Sequence, residues 1–139
     1  MRAIASSLIV ASAAVMLLLG LIHILYTFRG RKLHPRDSDL YTRMNEVSLV
    51  LTRKTTMWKA WIGFNASHSY GAIFFGLVYG YLALAHSEFL FQSTYLLLLG
   101  LLLLVGYAVL GKLYWFSAPL LGILLSAVLY VAGLVLRWT

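Results

Sequence analysis

Four long apolar runs, nearly free of charge, constrain this chain more than any other feature. The first is Ala3 to Phe28, with no charged residue. The second is Met57 to Ala85, whose only charge is Lys59, near its start. The third is Ser93 to Leu110, and the fourth is Ser117 to Leu136, opened by Ser117 and Pro119 and closed by Arg137. A hydrocarbon layer about 30 Å thick takes roughly 20 residues of helix. Each run is close to that length or longer. None alternates polar and apolar residues as barrel strands do, and only helices or closed barrels satisfy their backbone in lipid. The runs predict an all-α fold, a four-helix transmembrane bundle, in one domain over 1–139. Its helices are expected at about 3–28, 57–85, 93–110 and 117–136.

Composition agrees. Of the 139 residues 62% are apolar and 11% charged, against about half and a quarter in ordinary soluble domains. The first run has a basic start, as a secretory leader would. Its apolar stretch is too long for one, and no small-residue cleavage site follows, so it is expected to stay as a helix. The sequence has no cysteine, which removes thiolate chemistry, Cys-ligated zinc and disulfides.

The formal charge of +7 is concentrated rather than spread. Eight of the eleven basic residues lie between Arg29 and Lys59. A basic block between two spans is a topology signal first and a contact to anionic lipid heads second; nucleic acid is not an expected partner. With Lys112, nine basic residues fall on one side of the runs, and only Arg2 and Arg137 on the other. Both termini and the turn His86-Ser87-Glu88 are therefore expected outside, and the loop 29–56 in the cytoplasm. The aromatics Tyr26, Phe28, Trp58, Trp61, Tyr114, Trp115 and Trp138 stand near the ends of the runs, where an interfacial belt is expected.

Within that loop Pro35 stops the first helix, and Asp37 or Ser38 can cap a new one. Leu40, Met44, Val47 and Leu51 then recur at helical spacing. This pattern predicts a cytoplasmic amphipathic helix over 38–52, lying on the lipid surface or roofing the bundle.

Helices surrounded by lipid associate through small residues and interhelical hydrogen bonds. The second run has two rows, Gly63, Ser67, Gly71 and Ala72, Gly76, Gly80, on nearly opposite sides. Gly122 and Ser126 form part of a row in the fourth. These are the expected packing residues, and some of them could instead form a seam with a second copy or a larger membrane complex. The third run, mostly Leu, is expected to be the most lipid-exposed.

Polar groups inside a bilayer are costly and so are functional suspects. Here they are His23, Asn65, His68 and Ser69, with Trp61 on the same face as the last three. The other reading is that a buried Asn or His only bonds a neighbouring helix and that Ser67 and Ser69 bond their own i−4 carbonyls. An apolar wall with a few convergent polar groups suits a lipid-like ligand such as a quinone, fatty acyl or isoprenoid. His34, Arg43 or Glu46 could close such a site. Counting each residue from its own helix end puts His23 and His68 roughly 8 Å apart in depth. No carboxylate lies well inside any run, which argues against a di-iron site and proton-coupled transport. Two imidazoles fall short of a zinc site, so no metal is expected. Haem between His23 and His68 is formally allowed, but the depth difference and the absence of a paired-His pattern count against it, so the cofactor stays open.

The segment TMWKAWIGFNASHSYGAIFFGL, following a helix with Gly20 and His23, resembles small four-helix bacterial membrane proteins of no assigned function. The likeness rests on Trp61, Gly63, Phe64, Asn65, Ser67, His68 and Gly71. It implies a bacterial inner membrane and carries no activity, cofactor or substrate.

Three functions stay open at this point. One is a small polytopic membrane protein that binds a lipid-like ligand or cofactor in the cytoplasmic half of the bundle. Another is an accessory subunit docking to a larger membrane complex through its small-residue faces. The third is a lipid-modifying membrane enzyme using His68 or His23 as acid/base.

Overall fold

The computed structural model describes residues 1–137; Trp138 lies outside the described residues. The order of elements is α1 (Arg2–Phe28), α2 (Ser38–Glu46), β1 (Ser48–Leu49), β2 (Thr52–Thr56), α3 (Met57–Ala85), α4 (Ser87–Gln92), α5 (Thr94–Tyr114) and α6 (Ser117–Leu136). The fold is all-α apart from the small β1–β2 hairpin. Four of the helices, α1, α3, α5 and α6, are long and apolar enough to cross a membrane.

Local sequence explains where the elements stop. After α1 the chain turns at Gly30, whose φ of 81° is a left-handed value that glycine adopts without steric cost. The Asp37 side chain caps α2, accepting from the backbone N–H of Asp39 at 2.8 Å and Leu40 at 3.3 Å. Ser93 caps α5 in the same way through the N–H of Leu96. Pro119 falls in the first turn of α6, where its missing N–H costs no helical bond.

Four expectations need correction. The helix expected over 38–52 ends at Glu46, and Val47 is already extended. The residues that follow are rich in β-branched side chains, Val47, Val50, Thr52, Thr55 and Thr56, which favour a strand over a helix. They form an antiparallel hairpin in which Ser48 pairs with Thr56 and Leu49 with Thr52, leaving Val50 and Leu51 exposed at its tip. The third long helix continues through Gly111 to Tyr114, so only Trp115 and Phe116 connect it to α6. The turn expected at His86-Ser87-Glu88 is itself a short helix, α4. The Leu-rich α5 is also not the most exposed of the four, because a smaller share of α6 is buried.

The chain forms two compact units. One comprises Met1–Leu19 and the chain from Ala72 onward; the other is Gly20–Gly71. The first contains the apolar core: Ile9, Ala13 and Met16 of α1, Phe75, Tyr79 and Ala83 of α3, Leu97 and Leu104 of α5, and Ile123 and Tyr130 of α6. Small residues let backbones approach in this unit. A Cβ added at Gly76 would stand 2.6 Å from the Leu17 Cβ and 2.8 Å from the Ala13 carbonyl oxygen, and one at Gly122 would stand 3.0 Å from Leu19. Gly80 faces Ala13 at an ordinary 3.6 Å.

Hydrogen bonds between helices complete the first unit. The Ser12 and Ser126 hydroxyls lie 2.8 Å apart, and Ser126 also donates to the Ser12 carbonyl at 3.0 Å. Tyr79 donates to the Leu96 carbonyl at 2.6 Å, and Tyr130 to the Leu97 carbonyl at 3.1 Å. Ser6 donates to the carbonyl of Ala83. Gly100 makes room for the two tyrosine rings, since a Cβ there would come within 2.7 Å of Tyr79 and 2.8 Å of the Tyr130 ring carbon Cζ.

Candidate functional site

The second unit holds the two histidines and the asparagine that lie within long helices. His23 is on the last two turns of α1. Trp61, Asn65, His68 and Ser69 follow one another along α3, three or four residues apart or adjacent, so they share one face.

The structure brings these groups together. The His23 and His68 rings meet edge to face, with centroids 5.3 Å apart and an interplanar angle of 85°. The 8 Å depth difference expected from helix ends does not hold, because the ends are not level. His23 lies five residues before the end of α1 and His68 eleven after the start of α3, so α3 begins about 9 Å farther out than α1 stops.

Asn65 organises the site. Its Nδ2 donates to the Trp61 carbonyl at 2.8 Å, which fixes the amide orientation and turns Oδ1 toward the His23 Nε2 at 3.1 Å. An amide oxygen only accepts, so this pattern assigns the proton of His23 to Nε2. In the neutral ring Nδ1 then carries the lone pair. Around this pair the backbone is also used. Thr27 donates to the His23 carbonyl at 2.8 Å, and Ser69 donates to the Asn65 carbonyl at 2.9 Å. Thr27 and Ser69 are buried, His23, Asn65 and His68 half-buried, and Trp61 is 43% exposed.

Trp61 has a second role. Its indole N–H reaches the carbonyl of Leu33 at 3.1 Å and ties α3 to the turn after α1. Beside this tie, His34 stacks on Tyr41 with centroids 4.9 Å apart, and Trp58 sets its ring edgewise to both, at 4.7 Å from His34 and 4.9 Å from Tyr41. His34 is thus held in a ring cluster with α2. Arg43 and Glu46, the other residues considered for closing the site, face each other at 3.7 Å on the exposed side of α2.

The expected packing residues divide. Ala72, Gly76, Gly80, Gly122 and Ser126 all lie in the first unit. At Gly63 nothing would meet an added Cβ within 4 Å, and the exposed Ser67 turns its hydroxyl back to the Phe64 carbonyl at 2.9 Å. Gly71 is half-buried. In the first unit His86 bonds the Tyr81 hydroxyl at 3.1 Å, and Glu88 faces Arg2 at 3.7 Å, all exposed.

Sequence reasoning did not reach the ring cluster of His34, Tyr41 and Trp58, the Trp61–Leu33 bond, or Thr27 as a buried hydroxyl. The four-residue step from His23 to Thr27 could have signalled the last. The cluster had no such signal, because its members come from three separate segments.

The arrangement limits the chemistry. Two imidazoles in edge contact, one of them bonded to Asn65 through Nε2, do not point along a common axis, so a porphyrin does not fit between them. Among the described residues no three His, Asp or Glu side chains form a set able to hold a metal ion. The four acids, Asp37, Asp39, Glu46 and Glu88, are all exposed and lie outside α1 and α3. What remains is a compact set of neutral donors and acceptors on two apolar helices, flanked by an indole. No protein-family model matches the chain, and no match is found among curated proteins or solved structures.

Proposed function

We propose that this is a bacterial inner-membrane protein that crosses the bilayer four times and binds an amphiphile, a molecule with a hydrogen-bonding head and an apolar tail. The observation that carries this reading is the joined set His23–Asn65–His68. Three polar side chains on two long apolar helices are costly unless they have work to do. Four helices of sufficient length and apolarity support the membrane assignment. The nine basic residues on one side against two on the other support a cytoplasmic loop 29–56 and external termini.

Helix length also suggests the depth of the site. Counted along α1 from Arg2, His23 is about 31 Å away; counted along α3 from Ala85, His68 is about 26 Å and Asn65 about 30 Å away. These lengths match a hydrocarbon layer of about 30 Å. The polar set then falls near the cytoplasmic boundary of the layer, where lipid-like molecules keep their heads. Trp61 would pack against the head, and the lone pair of His23 Nδ1 would accept a proton donor from it.

Native mass spectrometry of gently extracted protein tests this. Wild type is expected to carry a bound small amphiphile. Asn65→Ala and His68→Ala are expected to lose it while keeping helical content, and Ser67→Ala to retain it. Equal retention by all variants would remove the site from the polar set.

A second reading has one observation in its favour. Gly63 opens onto empty space beside the exposed Phe64 and Ser67, a surface suited to docking in a larger membrane complex. Gly63→Leu would then release a partner without affecting bound amphiphile.

A further inference from the structure

A run of cations next to a membrane helix usually does no more than set orientation. Here one part of the run is built into a shape. The turn after α1 carries Arg29, Arg31 and Lys32, three positive charges in four residues. Together with Leu25, Tyr26 and Gly30 they line an open cavity of about 600 Å³. The Lys32 ammonium stands 5.3 Å from the centre of the Tyr26 ring, within the range of a cation–π contact.

Among the described residues no acidic side chain pairs with these charges: the ion pairs are Arg2 with Glu88 and Arg43 with Glu46, and neither uses the turn. The turn is also held at both ends. On the near side the Arg29 N–H continues the helix to the Leu25 carbonyl at 2.8 Å. On the far side the His34 N–H bonds the Arg31 carbonyl at 3.2 Å, Trp61 holds the Leu33 carbonyl, and the His34 ring is packed between Tyr41 and Trp58. A loop of like charges would otherwise spread into solvent. This one has its backbone fixed in a bend by neutral contacts, which lowers the cost of ordering the turn around a ligand.

We propose that the bend is a binding site for the phosphate of an anionic phospholipid. Arg29 and Arg31 supply forked donors suited to phosphate oxygens, and Lys32 adds a point charge over Tyr26. The surface of the cavity is mainly apolar, and the exposed Leu21, Ile22 and Leu25 offer a track along α1 for an acyl chain. This combination fits a lipid and does not suit a free anion, which would gain nothing from the apolar wall. The inference rests on the membrane assignment above but not on the amphiphile set at His23.

The test uses the full chain in nanodiscs of zwitterionic phosphatidylcholine doped with phosphatidylglycerol. Retained lipids are counted by native mass spectrometry after release. Wild type is expected to keep phosphatidylglycerol in preference to phosphatidylcholine, and inorganic phosphate at millimolar concentration should not displace it. The triple variant Arg29→Gln, Arg31→Gln, Lys32→Gln should lose that preference tenfold or more. A control with the same charge loss in the same loop, Arg36→Gln, Arg53→Gln, Lys54→Gln, should stay within twofold of wild type. Trp61→Phe, which keeps every charge and removes the tie to Leu33, should weaken retention severalfold. Equal losses in the two triple variants would mean that only total charge matters and would overturn the site. Displacement by inorganic phosphate would make it a free-anion site instead. Failure of the chain to enter nanodiscs at all would overturn the membrane assignment, a result separate from either.

Discussion

The two units use the same two helices in opposite ways. Over Met1–Leu19 and beyond Ala72, α1 and α3 bury Ile9, Ala13, Met16, Phe75 and Tyr79 and close their hydroxyls on partners within the unit, Ser12 on Ser126 and Tyr79 on Leu96. Over Gly20–Gly71 the same helices carry imidazoles, an amide and an indole that stay half-buried or exposed. The first unit is specified by shape. A glycine is used where a methyl group would collide. The second is specified by hydrogen bonding, and it leaves polar capacity at the surface. Within a single helix, then, close packing and polar capacity are segregated along the axis.

Substitutions that add volume should break this contrast most strongly. Gly100→Leu would drive a side chain into the rings of Tyr79 and Tyr130, and Gly76→Ala would press on the Ala13 and Leu17 backbone. Overpacking of this kind costs about 1–3 kcal/mol per site. Gly100→Leu is expected at or beyond the upper end, read as lost thermal stability in detergent. Gly63→Ala, with open space around it, is expected to leave stability unchanged or raise it by about 0.5 kcal/mol through lower backbone freedom. If Gly63 and Gly76 responded alike, the division into units would have no energetic meaning.

Next in size is the ring cluster. Trp58→Ala removes two aromatic contacts, each worth about 0.5–1.5 kcal/mol, and should release α2 from the chain that follows it. Faster amide exchange over Ser38–Glu46, with exchange in α5 and α6 unchanged, is the expected reading. Smaller still is Ser126→Ala. Interhelical hydrogen bonds in membrane proteins average about 0.6 kcal/mol, so the variant should fold and lose stability on that scale. A loss several times greater would mean that the serine pair organises the core and does not merely join it.

Much of this was legible in the residues, and the reasons differ by feature. The four long helices follow from apolar runs that leave no other backbone solution. Asn65 and His68 could be placed on one face by counting, because helical periodicity is rigid over a single element. What counting could not supply was the offset between α1 and α3. That offset depends on how the chain from Gly30 to Thr56 folds back, and there the sequence pointed to helix through Thr52 while the β-branched residues from Val47 made a hairpin. The tyrosine pair over Gly100 was hidden for a related reason. Tyr79 and Tyr130 lie far apart in sequence, and a lone glycine inside a leucine run gives no sign of which ring it admits.

The account depends first on the chain crossing a bilayer with loop 29–56 on one side and the connection before α5 on the other. The absence of cysteine makes this directly measurable with single introduced thiols. Arg36→Cys and Gln92→Cys place one thiol in each exposed segment. In intact cells a membrane-impermeant maleimide is predicted to label Gln92→Cys, and to label Arg36→Cys only after the membrane is opened. Labelling of Arg36→Cys in intact cells would contradict the account, because it would put the basic turn and the His23–Asn65–His68 set at the opposite face of the membrane.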